Sequence, residues 1–72
     1  MKSNIKRKLG QNIKIERIRK ELTQEELAEK IDMSLSYISK LEQGITSPTA
    51  FALFKISKTL EIPMEQFFDG IY

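Results

Sequence analysis

Apolar residues recur every three or four positions along nearly the whole chain, and no segment alternates for long with a period of two. The first spacing lines one face of an α-helix, whereas strict alternation is typical of a half-buried strand. The pattern therefore predicts an all-α domain. It divides the chain into five helical segments, at about 5–21, 24–31, 34–43, 49–60 and 63–68.

The first segment carries apolar residues on two roughly opposite sides. One stripe consists of Ile5, Leu9 and Ile13. The other consists of Ile15, Ile18 and Leu22. A surface helix usually has a single apolar face, so either this helix bends near Lys14 or one of its isoleucines stays exposed to solvent.

Short polar residues mark the ends of the other helices. Thr23 and Glu26 have the spacing of a capping box, in which each side chain accepts a hydrogen bond from the backbone amide of the other residue. Ser34 and Thr49 are predicted to cap the third and fourth helices, and Gly44 suits the position just after the third helix. Two short helices separated by so small a break predict a helix-turn-helix.

The second helix of that pair contains an acidic residue in an unexpected place. Glu42 falls on the apolar side of the helix, which also holds Leu35, Ile38 and Leu41. A buried carboxylate needs a partner, because burying it alone is costly; otherwise Glu42 is simply an exposed residue of the last turn. The remaining surface of the helix presents small and medium-sized polar groups, namely Ser36, Ser39, Lys40 and Gln43.

The composition narrows the chemistry that the chain can perform. It contains no cysteine and no histidine, which removes thiolate metal sites and the commonest general base. An enzyme would have to use carboxylates or lysines, and the acids are scattered over positions that face solvent. We therefore expect no catalytic residue, no metal and no cofactor.

Charge is distributed unevenly along the chain. Residues 1–20 carry eight basic residues against the single acid Glu16, a net charge of +7, whereas residues 21–72 carry four lysines against nine acids, a net charge of −5. A basic segment attracts phosphates, although a solvated helix face has the same composition. No apolar run approaches the length of a membrane span, so we expect no membrane association and a cytoplasmic location.

Three stretches of the sequence resemble the helix-turn-helix domain of the phage repressor and Cro type, also called the Xre type. They are LTQEELAEKI (22–31), SLSYISKLEQG (34–44) and SPTAFALFKISKTLEIPMEQFF (47–68). The resemblance covers about residues 9–68 of a single domain, 1–72, and leaves a basic extension, 1–8, and a tail, 69–72. It implies a compact five-helix, lambda-repressor-like domain that binds double-stranded DNA as a transcriptional regulator, either a repressor or an autoregulator.

The resemblance also implies a partner for Glu42. The family's inward glutamate pairs with an arginine of the first helix, and without a gap that arginine is Arg17. The sequence departs from the family nearby, because Glu16 stands where an apolar residue is usual and Glu21 where glycine is frequent. With a local shift, Arg19 would be the partner instead.

The same resemblance and the outward face of the third helix suggest which residues touch DNA. A helix in the major groove reads base edges through its outward side chains. The candidate base contacts are Leu35, Ser36, Ser39 and Lys40. The candidate phosphate contacts are Thr23, Gln24, Tyr37, Gln43, Thr46 and Ser47. Several alternatives stay open. Leu35 could pack in the core, Thr23 could serve only as a cap, and the serines could simply form a solvated face. Tyr37 could place its ring on the core and its hydroxyl in water, and residues 6–8 could either reach DNA phosphates or remain solvated.

A single recognition helix reads only a few base pairs, so specific binding usually needs two modules. We therefore expect a homodimer on a two-fold-related operator. The candidate dimer interface is an apolar patch of Phe51, Phe68, Ile71 and Tyr72, although Phe51 could instead cover the end of the core. An alternative function uses the same patch to bind another protein, as in an antitoxin-like module. No small-molecule ligand is indicated.

Overall fold

Four α-helices and one 3₁₀ helix follow one another in residues 2–71, the part of the chain that the computed structural model describes, with side chains from residue 5 onward. They are α1 (Lys2–Arg19), α2 (Gln24–Lys30), α3 (Leu35–Gln43), α4 (Ala50–Leu60) and the 3₁₀ helix (Met64–Phe68). These residues contain no β-strand, so the predicted all-α class is confirmed. Within the same residues, no helix combines the length and the apolar character that crossing a membrane requires.

The fifth predicted helix is a 3₁₀ helix and not an α-helix. Residues Met64–Phe68 form a 3₁₀ helix, in which the Gln66 amide donates to the Pro63 carbonyl at 3.0 Å, three residues back. The Asp69 amide closes the segment in the same way, with the Gln66 carbonyl as acceptor at 3.3 Å. So short a segment gains few α-helical hydrogen bonds against the cost of nucleation, and 3₁₀ geometry is common in such pieces.

α1 is an uninterrupted helix that begins earlier than predicted, at Lys2, so the basic residues 2–8 form its first turns. Leu9 and Ile13 are buried in the core. The other isoleucines of α1 are each about half exposed, and they are Ile5, Ile15 and Ile18. The two-sided apolar pattern therefore reflects isoleucines that remain in contact with solvent.

Three of the α-helices are followed, within two residues, by an acidic residue with left-handed backbone. The φ angles are 58° at Glu21, 57° at Asp32 and 58° at Glu61. At the end of α1, the Glu21 amide turns back to the Ile18 carbonyl at 2.9 Å, as in a Schellman ending. α1 thus stops two residues before its predicted end, and Glu21 adopts the conformation for which glycine is the usual residue.

All five elements contribute side chains to one hydrophobic core. Its fully buried members are Ile13, Leu27, Ile31, Ile38, Leu41, Ile56, Leu60 and Phe67. α1 packs against α3 and the 3₁₀ helix, while α2 packs against α3 and α4. The inward faces of α2 and α4 are formed by apolar residues that are all buried, namely Leu27, Ala28, Leu53, Ile56 and Leu60.

Replacing Glu21 by glycine should stabilise the protein. Glycine adopts a positive φ without the clash between Cβ and the backbone, which relieves strain of about 1 kcal/mol. The greater freedom of glycine in the unfolded chain offsets part of this gain. We therefore expect urea or thermal unfolding to show that Glu21→Gly is more stable by roughly 0.5–1 kcal/mol. Glu21→Ala is the control, because alanine removes the charge but keeps the Cβ, and an equal gain in that variant would contradict the backbone explanation.

Candidate nucleic-acid interface

α2 begins at a reciprocal cap. The Glu26 amide donates to the Thr23 hydroxyl at 3.0 Å, and the Thr23 amide donates to the Glu26 carboxylate at 2.8 Å. The predicted capping box is therefore confirmed. The hydrogen bond from the Thr23 backbone holds the pKa of the Glu26 carboxyl below its ordinary value. Since the pKa of Glu26 is lower in the folded state, the ionised carboxylate stabilises the fold. This stabilisation is present at a pH above the ordinary pKa and is lost as the pH falls through the lowered pKa.

Hydrogen bonds close α3 at both of its ends. At its start, the Tyr37 amide donates to the Ser34 hydroxyl at 3.0 Å. At its end, Gly44 has a φ of 78°, and its amide donates to the Leu41 carbonyl at 3.1 Å. Ser34 and Gly44 thus occupy the two capping positions predicted for them, and α3 has the bounds expected of the second helix in the pair.

α1 and α3 touch through their backbones at a glycine. A Cβ placed on Gly10 would collide with the Leu41 carbonyl oxygen and would lie 2.9 Å from the carbonyl oxygen of Glu42. Gly10 is itself buried. A mid-helix glycine is destabilising by itself, but here it permits the close approach of two backbones. This contact fixes the separation between α1 and the C-terminal end of α3.

A buried ion pair joins the same two helices. The Nε and NH2 groups of Arg17 donate to the two carboxylate oxygens of Glu42 at 2.7 and 3.0 Å. The side chains of Arg17 and Glu42 are only 9% and 2% exposed. The remaining guanidinium nitrogen, NH1, donates to the Leu22 carbonyl at 2.7 Å. Such a bidentate pair, with further hydrogen bonds around it, is the geometry that can offset the cost of burying two charges.

Arg19, the other partner considered for Glu42, serves a different acid. Its NH1 group donates to Glu16 at 3.2 Å, and Gln66 Nε2 donates to the same oxygen at 3.1 Å. Nearby, the Asn12 side chain donates to the Phe67 carbonyl at 2.7 Å. The buried Glu16 carboxylate thus accepts two hydrogen bonds. The one from Gln66, together with the hydrogen bond from Asn12 to Phe67, attaches the 3₁₀ helix to α1.

The buried carboxylate also holds a residue expected to bind phosphate. Gln24, the first residue of α2, donates from Nε2 to Oε1 of Glu42 at 2.9 Å. The Gln24 side chain is half-buried. A primary amide has two N–H donors, so one remains available for an external acceptor. α2 is therefore connected through Glu42 to the α1–α3 pair.

The accessible surface of α3 carries the candidate base contacts. Its exposed members are Leu35, Ser36 and Lys40. Leu35 is 47% exposed, so the alternative that it packs in the core is not borne out: it lies in the first turn of α3, at the edge of the core. Ser39 is half-buried and accepts a hydrogen bond from Gln43 Nε2 at 2.8 Å. Two of the candidate DNA contacts, Ser39 and Gln43, are therefore hydrogen-bonded to each other.

The remaining candidate phosphate contacts differ in their accessibility. Thr23 is exposed, and its hydroxyl accepts the hydrogen bond of the cap. Tyr37 is half-buried against the core, and its hydroxyl accepts a hydrogen bond from the Thr49 amide at 3.4 Å. In the loop after α3, Thr46 is half-buried and Ser47 is exposed. The hydroxyls of Thr23 and Tyr37 thus contribute to the fold itself.

The predicted apolar patch is divided between the surface and the core. Phe51 is 62% exposed, so it does not cover the end of the core. Phe68 and Ile71 are half-buried and pack against the core. Tyr72 lies outside the described residues. Of the four residues assigned to a dimer interface, Phe51 is thus the most accessible among those described.

α4 carries a second exposed aromatic residue, which was not predicted from the sequence. Phe54 is 48% exposed and lies three residues after Phe51, a spacing that places both on neighbouring parts of the helix surface. Each ring is accompanied by a lysine, because the Lys55 and Lys58 ammonium groups lie 4.6 and 5.8 Å from the ring centroids of Phe51 and Phe54. These four residues form what we call the α4 aromatic surface.

Two short helices joined by a tight turn, the second of them accessible and tied to α1 by an ion pair, define a helix-turn-helix domain. The helix-turn-helix family model HTH_3 matches residues 13–67. The chain belongs to this family, the Xre type, and the resemblance seen in the sequence is confirmed. The family is a class of DNA-binding transcriptional regulators and not a class of enzymes.

Two similar proteins bear the names of transcriptional regulators. The chain is 39% identical over 63 residues to the HTH-type transcriptional regulator SlrR of Bacillus subtilis (strain 168). The alignment covers 86% of this chain and 41% of SlrR. It is 35% identical over 63 residues to an uncharacterized transcriptional regulator in the ATPase CF(0) region of Rhodospirillum rubrum, covering 88% of this chain and 58% of that protein. The chain thus spans about half the length of the curated relatives it matches.

Solved structures share the fold over most of this chain. The restriction-modification controller protein C.AhdI of Aeromonas hydrophila has a TM-score of 0.82 at 29% identity, over 86% of this chain and 94% of its own. An HTH_3 family transcriptional regulator of Vibrio cholerae has a TM-score of 0.84 at 26% identity, over 94% and 38%. PlcR of Bacillus thuringiensis, in complex with the peptide PapR7 and DNA, has a TM-score of 0.82 at 37% identity, over 92% and 24%.

Removing one half of the buried ion pair should strongly destabilise the domain. Arg17→Met leaves the Glu42 carboxylate buried without its cation, which costs about 3–5 kcal/mol. The double variant Arg17→Met with Glu42→Leu removes both charges and should recover much of that loss, because no unpaired charge remains. Urea unfolding measures both variants. Equal losses in the single and double variants would show that lost packing, and not the unpaired charge, is responsible.

Proposed function

We propose that this domain binds double-stranded DNA sequence-specifically by inserting α3 into the major groove, and that it regulates transcription from the bound site. The observation that carries the proposal is the exposure of Ser36 and Lys40 on α3, on the side away from the buried Glu42. A recognition helix discriminates between bases best when it is held rigidly by the rest of the domain. The DNA in the structure of PlcR, which resembles this chain, supports the same role here.

The accessible side chains of α3 have chemistry that suits base edges. Lys40 would donate to O6 and N7 of guanine, and the methyl groups of Leu35 would contact a thymine methyl. Ser36 and Ser39 can both donate and accept, so they would discriminate weakly between bases. Their short side chains would also allow the α3 backbone to approach the groove closely.

Phosphate contacts would hold α3 at the correct depth in the groove, since such contacts position a protein without reading sequence. Gln24 has one N–H donor left after its hydrogen bond to Glu42. Gln43 and Ser47 are exposed next to the end of α3. The other candidates supply hydroxyl groups, and they are Thr23, Tyr37 and Thr46.

We further propose that the domain acts as a homodimer on a two-fold-related operator, as a repressor or autoregulator. One α3 would contact too few base pairs for specific binding at physiological salt, and a second copy doubles the site. The exposed rings of Phe51 and Phe54 supply an apolar surface that a second copy could cover. A dimer bound over a promoter would exclude other proteins from it, which accounts for repression.

A function as a protein-interaction module is not favoured. It would make Phe51, Phe68 and Tyr72 the functional residues, with α3 serving only to shape a surface. Phe68 is half-buried against the core and is less available to a partner than Phe51. The regulators similar to this chain also support the DNA-binding function.

Replacing Lys40 by alanine should weaken sequence preference more than overall affinity. Selection of binding sites from random duplex DNA should yield one enriched motif for the wild type, with two-fold symmetry if the dimer forms. Lys40→Ala should reduce the preference at one base position by about tenfold, because a good contact to a base is worth about 1–3 kcal/mol. Lys20→Ala is the matched control, since this exposed lysine lies 3.8 Å from Glu61 at the ends of α1 and α4. If the wild type enriches no motif, sequence-specific binding is refuted.

Replacing Phe51 by aspartate should weaken self-association while leaving the fold intact. The side chain is 62% exposed, so the charge is tolerated in the monomer, but it would be buried in the dimer. We expect sedimentation equilibrium with operator DNA to show dimerisation weakened roughly tenfold or more. Ile18→Asp is the control, because Ile18 is 54% exposed on α1, outside the α4 aromatic surface. Equal effects in both variants would contradict an interface on α4.

A further inference from the structure

The first turns of α1 lie directly against the end of α3. A Cβ placed on Gly44 would lie 2.7 Å from the Cα and 3.0 Å from the backbone nitrogen of Arg7. The contact at Gly10 with the carbonyl oxygens of Leu41 and Glu42 continues the same crossing one turn further along α1. The part of α1 from Arg7 to Gly10 is therefore packed beside the end of α3.

This contact places the Arg7 backbone beside residues that are proposed to contact DNA. Gly44 stands between Gln43, at the end of α3, and Thr46, in the following loop, and both of these are candidate phosphate contacts. Arg7 is exposed. The ion pairs between described side chains use Arg17, Arg19 and Lys20, so within residues 5–71 no carboxylate holds the Arg7 guanidinium. A planar guanidinium with five donors is well suited to bind a phosphate oxygen pair.

The neighbouring basic residue lies on a different side of the domain. A Cβ placed on Gly70 would lie 3.2 Å from Cε and 3.7 Å from Nζ of Lys8. The Lys8 ammonium group is therefore near the turn that follows the 3₁₀ helix. Consecutive helical residues point about 100° apart around the axis, which separates Arg7 from Lys8 although both are exposed and basic.

We propose that Arg7 binds the DNA phosphate backbone beside the C-terminal end of α3, and that Lys8 does not. The contact extends the DNA-binding surface from the helix-turn-helix to the first turns of α1. The inference rests on the proposed insertion of α3 into the major groove. The competing explanation is that Arg7 only stabilises the fold, by placing a cation near the negative end of the α3 dipole.

The two explanations differ in how DNA affinity depends on salt. Each phosphate contact releases condensed counterions, and losing one changes the slope of log K against log salt concentration by about 0.9. The experiment compares the wild-type chain with Arg7→Ala, Arg7→Lys and the matched control Lys8→Ala. Each is measured on the duplex selected by the wild type, over a series of KCl concentrations. Thermal unfolding of each variant reports separately on the fold.

We expect Arg7→Ala to make the slope less steep by about 0.9 for each bound subunit, or roughly 1.8 for the proposed homodimer, and to reduce affinity by about tenfold or more. Arg7→Lys should keep most of the slope, because it keeps the charge, and Lys8→Ala should match the wild type. The inference is overturned if Arg7→Ala keeps the wild-type slope, whether or not its melting temperature falls. It is also overturned if Lys8→Ala makes the slope less steep by as much as Arg7→Ala does, since that outcome indicates general electrostatic attraction. Failure of the wild type itself to bind DNA would refute the proposed function, which is a separate result.

Discussion

The orientation of α3 depends on the buried pair between Arg17 and Glu42. Both carboxylate oxygens accept guanidinium hydrogen bonds, at 2.7 and 3.0 Å, and Gln24 adds a third donor at 2.9 Å. Side chains from α1, α2 and α3 therefore meet at one carboxylate. Hydrophobic contacts are non-directional, whereas a bidentate pair tolerates few relative orientations. The pair thus specifies an angle between helices that packing of the core alone leaves less restricted.

The separation between α1 and α3 has a steric origin. The two backbones come together at two points. Gly10 of α1 lies against the end of α3, and Gly44, just after α3, lies against Arg7 of α1. The same two helices are therefore held by two kinds of interaction. The ion pair is electrostatic, and the two glycine contacts are steric. α3 is consequently carried by a rigid unit, which is what reading base edges requires of a recognition helix.

Local features of the fold could be predicted from the sequence, and features that depend on distant residues could not. The caps at Thr23, Ser34 and Thr49 are formed by residues three positions apart, so their spacing is visible in the chain. The burial of Glu16 depends on Gln66, 50 residues away, and no local pattern reports such a contact.

The candidate site shows the same division between local and distant information. The helix-turn-helix and its bounds could be predicted, the bounds from the capping residues. The family resemblance limited the partner of Glu42 to Arg17 or Arg19, and the structure shows Arg17. The exposure of Leu35 and of Phe54 depends on where the core ends in three dimensions, which periodicity along one helix does not define. The roles given to Ser36 and Lys40 stay predictions, because they depend on a partner molecule and not on the fold of the chain.

The contact at Gly10 has a consequence for how the gene for this protein can vary. Every replacement of glycine adds a Cβ, and at this position a Cβ collides with a carbonyl oxygen of α3, which is backbone and cannot adopt another rotamer. No conservative missense change therefore exists at codon 10. In a mutational scan, this position without a side chain should tolerate as few substitutions as the positions of the aliphatic core. Another residue could be accommodated here only if the two helices moved apart.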